Sequence, residues 1–158
     1  MPRLAKRVRR RWLAILAVIA VLLVGLLAYG WAETYRVELK RYTFTHPDVP
    51  PAFDGMRIVF VTDVHRGAFF SERRVGDIVD RVNELGPDLV LLGGDYVYGN
   101  TDYEVSCFSQ LARLEAKKGC YAVLGNHDYG EPQHQDGTDD SDPSLAIQAI
   151  ETTDIELL

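Results

Sequence analysis

Three short polar groups each follow an apolar, strand-like stretch of the sequence. They are Asp63-Val64-His65, Gly94-Asp95 and Gly125-Asn126-His127-Asp128. Carboxylate, imidazole and amide groups suit Mn, Fe or Zn ions, and no cysteine stands among them. A carboxylate can bridge two ions, and two neighbouring ions can clamp a phosphate for in-line attack. The three groups therefore predict a metal-dependent hydrolytic site.

Each polar group taken alone also has an ordinary explanation. Gly, Asn and Asp are common turn residues, and a polar trio suits a solvated loop. The position of all three groups at successive strand ends favours a functional site. The carboxyl ends of parallel strands share one edge of a sheet, where α/β proteins bind ligands. We therefore expect Asp63, His65, Asp95, Asn126 and His127 to converge.

The segments between these groups alternate between strand-like and helix-like patterns. Apolar, β-branched runs predict strands at "MRIVFVTD", "PDLVLLGGD" and "CYAVLGNHD", and "DIELL" indicates a fourth. Helical spacing of apolar residues predicts three helices. The first begins after Ser71 and the third after Asp142. The second contains Val105, Phe108, Leu111 and Ala112 and ends near Gly119. The alternation predicts an α/β fold with a parallel sheet flanked by helices. The first strand is expected to be buried on both faces, and the second is also expected to be buried. Tyr35–His46 is a further, edge-strand candidate.

The N-terminal segment differs in composition from the rest of the chain. Residues 1–11 carry six basic side chains, which leaves −12 on the remainder against −6 overall. Residues 12–31 are uncharged, and twenty helical residues span about 30 Å, the thickness of a bilayer core. We expect an uncleaved transmembrane anchor, with a cytoplasmic N-terminus and an extracytoplasmic body. A cleaved signal peptide and a buried core helix are the alternatives.

Charge and cysteine content narrow the remaining choices. An acidic body argues against nucleic acid as a partner. The predicted elements place Cys107 and Cys120 too far apart for a disulfide, so two separate buried thiols are expected. The acidic segment between Tyr129 and Ser144 is expected to be a solvated loop, and its spacing does not match a calcium-binding EF-hand.

The motifs "VTDVHRG", "LLGGDYVYG" and "VLGNHDYG" resemble those of the calcineurin-like metallophosphoesterases. The stretch "PPAFDGMRIVFVTDVHRG" is similar to the opening of their membrane-anchored bacterial branch. The resemblance runs from about Val37 to Leu158, with 32–55 as a linker and 56–158 as the domain. It implies a pair of sheets flanked by helices, of which this chain holds the first half. The family's closing Gly-His-x-His does not occur here.

The resemblance also implies a role for each polar residue. Asp63 and His65 would bind a first metal, Asp95 would bridge, and Asn126 would bind a second metal. His127 would stabilise the phosphoryl charge or protonate the leaving oxygen, with Asp128 orienting its imidazole. Two divalent or trivalent ions (Mn, Fe or Zn) would supply a metal-bound hydroxide as the nucleophile.

The substrate implied by the resemblance is a phosphate ester or a pyrophosphate, including lipid-linked ones of the UDP-diacylglucosamine type. Two alternatives stay open. One is a truncated, catalytically incomplete fragment that lacks the C-terminal histidine ligands. The other is an anchored interaction domain with incidental polar turns. His134, in the acidic loop, is not favoured as a substitute ligand, because flexible loops hold metals poorly. His46 is expected at the surface, and Arg66 is assigned no role.

Overall fold

The structure, a computed structural model, describes residues 2–129 and 142–158. The chain divides into two compact units, Met1–Phe44 and Thr45–Leu158. The first unit consists mainly of α1 (Pro2–Glu33). Within it, Arg9–Glu33 is long and apolar enough to cross a membrane, and its apolar side chains are exposed. Such exposure is typical of a membrane span or a signal sequence, not of a core helix.

The segment after α1 forms no strand. A turn at Thr34 and Tyr35 follows the helix, and residues 36–46 have no regular secondary structure. The sequence predicted an edge strand over Tyr35–His46. A strand needs a neighbouring strand to pair its backbone groups, and none of the described strands pairs with this segment.

The second unit is an α/β fold, as predicted. Its strands are β1 (Ile58–Val61), β2 (Leu89–Leu92), β3 (Cys120–Ala122) and β4 (Ile155–Leu157). They form a parallel sheet in the order β1-β2-β3-β4. The intervening helices are α2 (Glu72–Glu84), α3 (Glu104–Leu111) and α4 (Ser144–Glu151). Short 3₁₀ turns occur at Pro51–Phe53, Thr101–Tyr103 and Asn126–Tyr129.

The core lies between one face of the sheet and the three helices. Alternate residues of neighbouring strands point into it, among them Val90, Leu92, Ala122 and Ile155. The opposite face carries Ile58 and Phe60, and Phe60 is 64% exposed. The prediction that the first strand is buried on both faces is therefore wrong. An apolar run indicates a strand without saying which of its faces a neighbour covers.

The buried face of α3 is rotated by one residue from the predicted face. Cys107, Phe108 and Leu111 are buried as helical spacing requires, but Val105 is 70% exposed and Glu104 takes the inward position. The helix also ends at Leu111, well before Gly119. Helical periodicity cannot select an inward carboxylate, because the pattern is read from apolar residues alone.

The two cysteines are free and buried, as expected. The Cys107 thiol donates to the carbonyl of Tyr96, and burial raises its pKa above the ordinary value. Burial also raises the pKa of the Cys120 thiol. Both groups are therefore small core residues with little thiolate character.

Candidate metal centre

Hydrogen bonds beyond the ends of β1 and β2 hold the first two polar groups side by side. The Asp63 amide donates to the Gly94 carbonyl at 3.1 Å, and the His65 amide donates to the Asp95 carbonyl at 3.0 Å. The Arg66 amide continues the pattern with the Tyr96 carbonyl at 2.8 Å. Backbone hydrogen bonds therefore set the spacing of the first two polar groups along this edge, independently of their side chains.

The third polar group joins the second through a side chain. The His127 amide donates to Oδ1 of Asp95 at 3.0 Å. Gly94 lies against the backbone of Gly125, and a Cβ at Gly94 would collide with it. A glycine is required at Gly94 because no larger residue permits this approach, and its φ of +87° is also one that glycine adopts freely.

Three predicted ligands have left-handed backbone conformations. Asp63, His65 and Asp95 have φ values of 56°, 50° and 55°, and no other non-glycine residue in the described ranges has a positive φ. A left-handed conformation costs an L-residue roughly 1–2 kcal/mol. Such strain is concentrated at functional sites, where the surrounding structure holds it in place.

His65, Asp95 and His127 form a cluster in which one ligand atom of each lies within 4.8 Å of the others. Nε2 of His65 is 3.8 Å from Oδ2 of Asp95. That nitrogen is buried and has no hydrogen-bond partner. A buried polar atom without a partner is unfavourable unless a ligand satisfies it. Metal–nitrogen and metal–oxygen bonds of about 2.0–2.2 Å would let one ion contact both atoms, so the donor set fits a metal.

The other two predicted ligands follow strands that end at the same edge, and Asp63 is not among the clustered His and Asp side chains. Asp63 is exposed, and its Oδ2 accepts a hydrogen bond from Thr62 Oγ1 at 2.8 Å. Asn126 is exposed and begins the 3₁₀ turn Asn126–Tyr129. The cluster thus holds two predicted ligands together with His127, for which the sequence predicts a catalytic role. The individual roles stay predictions.

Asp128 binds the backbone of the loops beside it. Its carboxylate is buried and accepts from the amides of Asp95 at 2.8 Å, Tyr96 at 2.7 Å and Gly125 at 2.8 Å. Burial raises the pKa of Asp128, while these amide hydrogen bonds act in the opposite direction. None of the hydrogen bonds described for Asp128 reaches the imidazole of His127. Its predicted role toward that ring stays a prediction without a supporting contact.

The sequence prediction missed two residues, Tyr98 beside the cluster and the buried carboxyl group of Glu104. The ring of Tyr98 lies 5.5 Å from that of His65 and 5.1 Å from that of His127, centroid to centroid. Glu104 is fully buried, and neither of its carboxylate oxygens has a hydrogen-bond partner. The one available signal for Tyr98 was its place in the loop that follows Asp95.

The contacts described for the Arg66 side chain are with neighbouring loop residues and not with the cluster. Its guanidinium lies over the Tyr103 ring at 4.4 Å, and Nη1 donates to the carbonyls of Gly67 and Phe70. These contacts fit the absence of any assigned role. His134 and most of the acidic segment lie outside the described residues.

Comparisons with known proteins identify relatives of the chain. Residues 56–155 match the calcineurin-like phosphoesterase family. The chain is 30% identical over 107 residues to the uncharacterized metallophosphoesterase YkuE of Bacillus subtilis, covering 65% of this chain and 37% of that protein. It is 30% identical over 115 residues to the UDP-2,3-diacylglucosamine pyrophosphatase LpxG of Chlamydia trachomatis, covering 69% and 34%.

A vertebrate relative also carries a membrane description in its name. The chain is 33% identical over 81 residues to a transmembrane protein with metallophosphoesterase domain from Danio rerio, covering 51% of this chain and 18% of that protein. The chain thus spans about a third or less of the length of these relatives. No solved structure matches it at a significant level.

Proposed function

The chain belongs to the calcineurin-like phosphoesterase family, and on that premise we propose that it carries metal-binding residues of a phosphoesterase acting at a membrane. The observation that carries the proposal is the buried Nε2 of His65, which has no hydrogen-bond partner and lies 3.8 Å from Oδ2 of Asp95. A hydrolase of this family breaks a phosphate ester or a pyrophosphate.

The residues around the cluster support a preorganised site. Oδ1 of Asp95 accepts from the His127 amide, which fixes the carboxylate while Oδ2 faces His65. Asp128 ties the loop after β2 to the loop after β3 through backbone amides. A site held by packed backbone can keep its ligands near the required geometry without reorganising when substrate arrives.

Bound metal ions would act as Lewis acids on the phosphate and lower the pKa of a coordinated water. His65 and Asp95 would hold the metal, and we assign Asp63, which follows β1, and Asn126, which follows β3, as further ligands because these strands end at the same edge of the sheet. His127 would stabilise charge on the phosphoryl oxygens or protonate the leaving oxygen.

The substrate proposed is a lipid-linked phosphate ester or pyrophosphate. The chlamydial relative is named a pyrophosphatase of UDP-2,3-diacylglucosamine, which is a lipid-linked compound. The candidate membrane helix near the N-terminus would keep the domain close to such a substrate. We further propose that the basic flank lies in the cytoplasm and the domain outside it, as the distribution of basic residues favours.

Metal binding tests the proposal directly. Purified full chain in detergent is titrated with Mn²⁺, and binding is followed by calorimetry and by the loss of the free-Mn²⁺ electron paramagnetic resonance signal. Asp95→Asn should weaken binding at least about 10- to 100-fold, the size of effect seen even for outer partners of metal ligands. Asp77→Asn is the matched control, because Asp77 is an exposed aspartate on α2.

Hydrolysis is then measured with bis-p-nitrophenyl phosphate and with a lipid-linked pyrophosphate. Mn²⁺-dependent turnover that Asp95→Asn abolishes would support a phosphoesterase. Stoichiometric Mn²⁺ binding with no turnover would favour the alternative, a catalytically incomplete chain. Unchanged Mn²⁺ affinity in Asp95→Asn would contradict the proposed site itself.

A further inference from the structure

Tyr98 occupies an unusual place at the candidate metal centre. Its ring lies 5.5 Å from the His65 ring and 5.1 Å from the His127 ring, and the two imidazoles are 5.0 Å apart. The three rings therefore contact one another in a triangle. Despite these contacts, 56% of Tyr98 is exposed. A residue whose ring borders the cluster and which is still more than half exposed is accessible to a bound molecule.

The backbone holds Tyr98 in place independently of the imidazoles. Its amide donates to the Arg66 carbonyl at 3.0 Å, and the preceding residue, Val97, forms a parallel bridge with Arg66. The Tyr98 carbonyl lies only 3.1 Å from the position that a Cβ on Gly67 would take. The packing of the two loops thus fixes the backbone of Tyr98, so little ordering is needed when a ligand binds.

Tyr96 shows what a structural tyrosine looks like in the same loop. It is fully buried, and its hydroxyl donates to the carbonyl of Val123 at 2.7 Å. Tyr98 lies two residues further on and is more than half exposed. The exposure of Tyr98 is therefore not explained by core packing.

We propose that Tyr98 is a specificity-determining residue whose exposed ring stacks on a planar, unsaturated ring in the substituent that the bound phosphate carries. The inference rests on the proposed function, because the phosphate must be held at the cluster for its substituent to reach Tyr98. Aromatic rings in offset or edge-to-face contact attract one another, and stacking on a side chain tolerates many ring types. An aryl group or a nucleobase fits this surface, whereas a small alkyl group gains little from it.

The experiment compares two stable phosphate mimics that share one head group. Phenylphosphonate and methylphosphonate are titrated into Mn²⁺-loaded full chain in detergent, with inorganic phosphate as a reference, and binding is measured by calorimetry. The phenyl compound should bind about 5- to 20-fold more tightly than the methyl compound. Tyr98→Leu should abolish this preference, and Tyr98→Phe should retain it.

Phe69→Leu is the matched control variant. Phe69 is an aromatic residue in the neighbouring loop and is 89% exposed. Among the described residues, the ring contacts to His65 and His127 do not include Phe69. Its replacement should leave the phenyl preference unchanged. Equal loss of the preference in Phe69→Leu and Tyr98→Leu would overturn the inference.

Three further results are distinguishable. If phosphate binds but wild type shows no phenyl preference, the inference is wrong and the proposed function stands. If Tyr98→Leu weakens phosphate and both phosphonates equally, Tyr98 positions the imidazoles, which also overturns a role in specificity. If neither Mn²⁺ nor phosphate binds to the wild-type chain, the proposed function fails and the inference falls with it.

Discussion

Two buried carboxylates lie in different regions of the second unit, and their surroundings are opposite. Asp128, in the 3₁₀ turn after β3, accepts hydrogen bonds from the amides of Asp95, Tyr96 and Gly125. Glu104, in the first turn of α3, is equally buried, but neither of its oxygens has a hydrogen-bond partner. Burial by itself therefore does not tell what a carboxylate does.

Asp128 is a hydrogen-bond acceptor for backbone amides, whereas Glu104 is a buried carboxyl group with a raised pKa. A buried charge is tolerated when hydrogen bonds replace the water it has lost, as the amides do for Asp128. Glu104 has no such compensation, so burial first and the nearby Asp128 second raise its pKa to about 8. Glu104 is therefore largely protonated at neutral pH, whereas Asp128 holds two loops together.

The largest effect is expected from Asp128→Ala. Three backbone amides, one buried and two partly buried, lose their acceptor, and a fully buried donor left unsatisfied costs about 1–3 kcal/mol. The free energy of unfolding should fall by about 3–5 kcal/mol, measured by urea denaturation of the full chain. Asp128→Asn keeps one side-chain oxygen and should show a smaller loss. A loss below about 1 kcal/mol in Asp128→Ala would show that the amides find other acceptors.

Glu104→Gln should raise the free energy of unfolding, and the size of this gain should depend on pH. The pKa of Glu104 is raised from its ordinary value of 4.5 to about 8, so the folded state holds its proton more tightly than the unfolded chain. The contribution of the protonated Glu104 to the free energy of unfolding is therefore complete below pH 4.5, and it is lost as the pH rises toward 8. The Gln variant lacks this loss and should gain a few kcal/mol over wild type at pH 9.

Urea denaturation at pH 4, 7 and 9 measures this difference for Glu104→Gln. Glu84→Gln, at an exposed position on α2, controls for the loss of one negative charge. Equal stability of wild type and Glu104→Gln at all three pH values would mean that the Glu104 carboxyl is solvated or paired, and the contrast with Asp128 would then disappear.

The smallest effect concerns Asp63, a carboxylate at the exposed edge whose backbone is strained. With φ at 56°, Asp63→Gly should be more stable than Asp63→Ala by about 1 kcal/mol, because only glycine adopts this conformation freely. At Asp77, within α2, the order should reverse by a similar amount, since alanine is the better helix former. Alanine proving more stable at both positions would argue against the left-handed backbone at Asp63.

Local patterns account for what could be predicted of the fold. The strand–helix alternation correctly indicated four parallel strands, because apolar runs and helical spacing depend on near neighbours in the chain. The same order placed Asp63, Asp95 and Asn126 after successive strands, since the carboxyl ends of parallel strands all lie at one edge of the sheet. The residue types then indicated a metal site. This is why the family resemblance and the expected edge agree with the structure.

The remaining features depend on contacts between distant residues. The rotation of α3 that buries Glu104 and exposes Val105 follows from how the helix packs on the sheet, which apolar spacing leaves undecided to within one residue. The exposed face of β1 likewise depends on which elements cover it.

The sequence by itself determined the order of strands and helices, the candidate membrane helix and the polar residues at the strand ends, because each follows from neighbouring residues. Only the tertiary structure decided that Asp128 accepts from amides more than thirty residues away, that the Tyr98 ring contacts two imidazoles, and that Nε2 of His65 is buried without a partner. Those contacts form when three loops meet at one edge, and no local pattern encodes the distance between them.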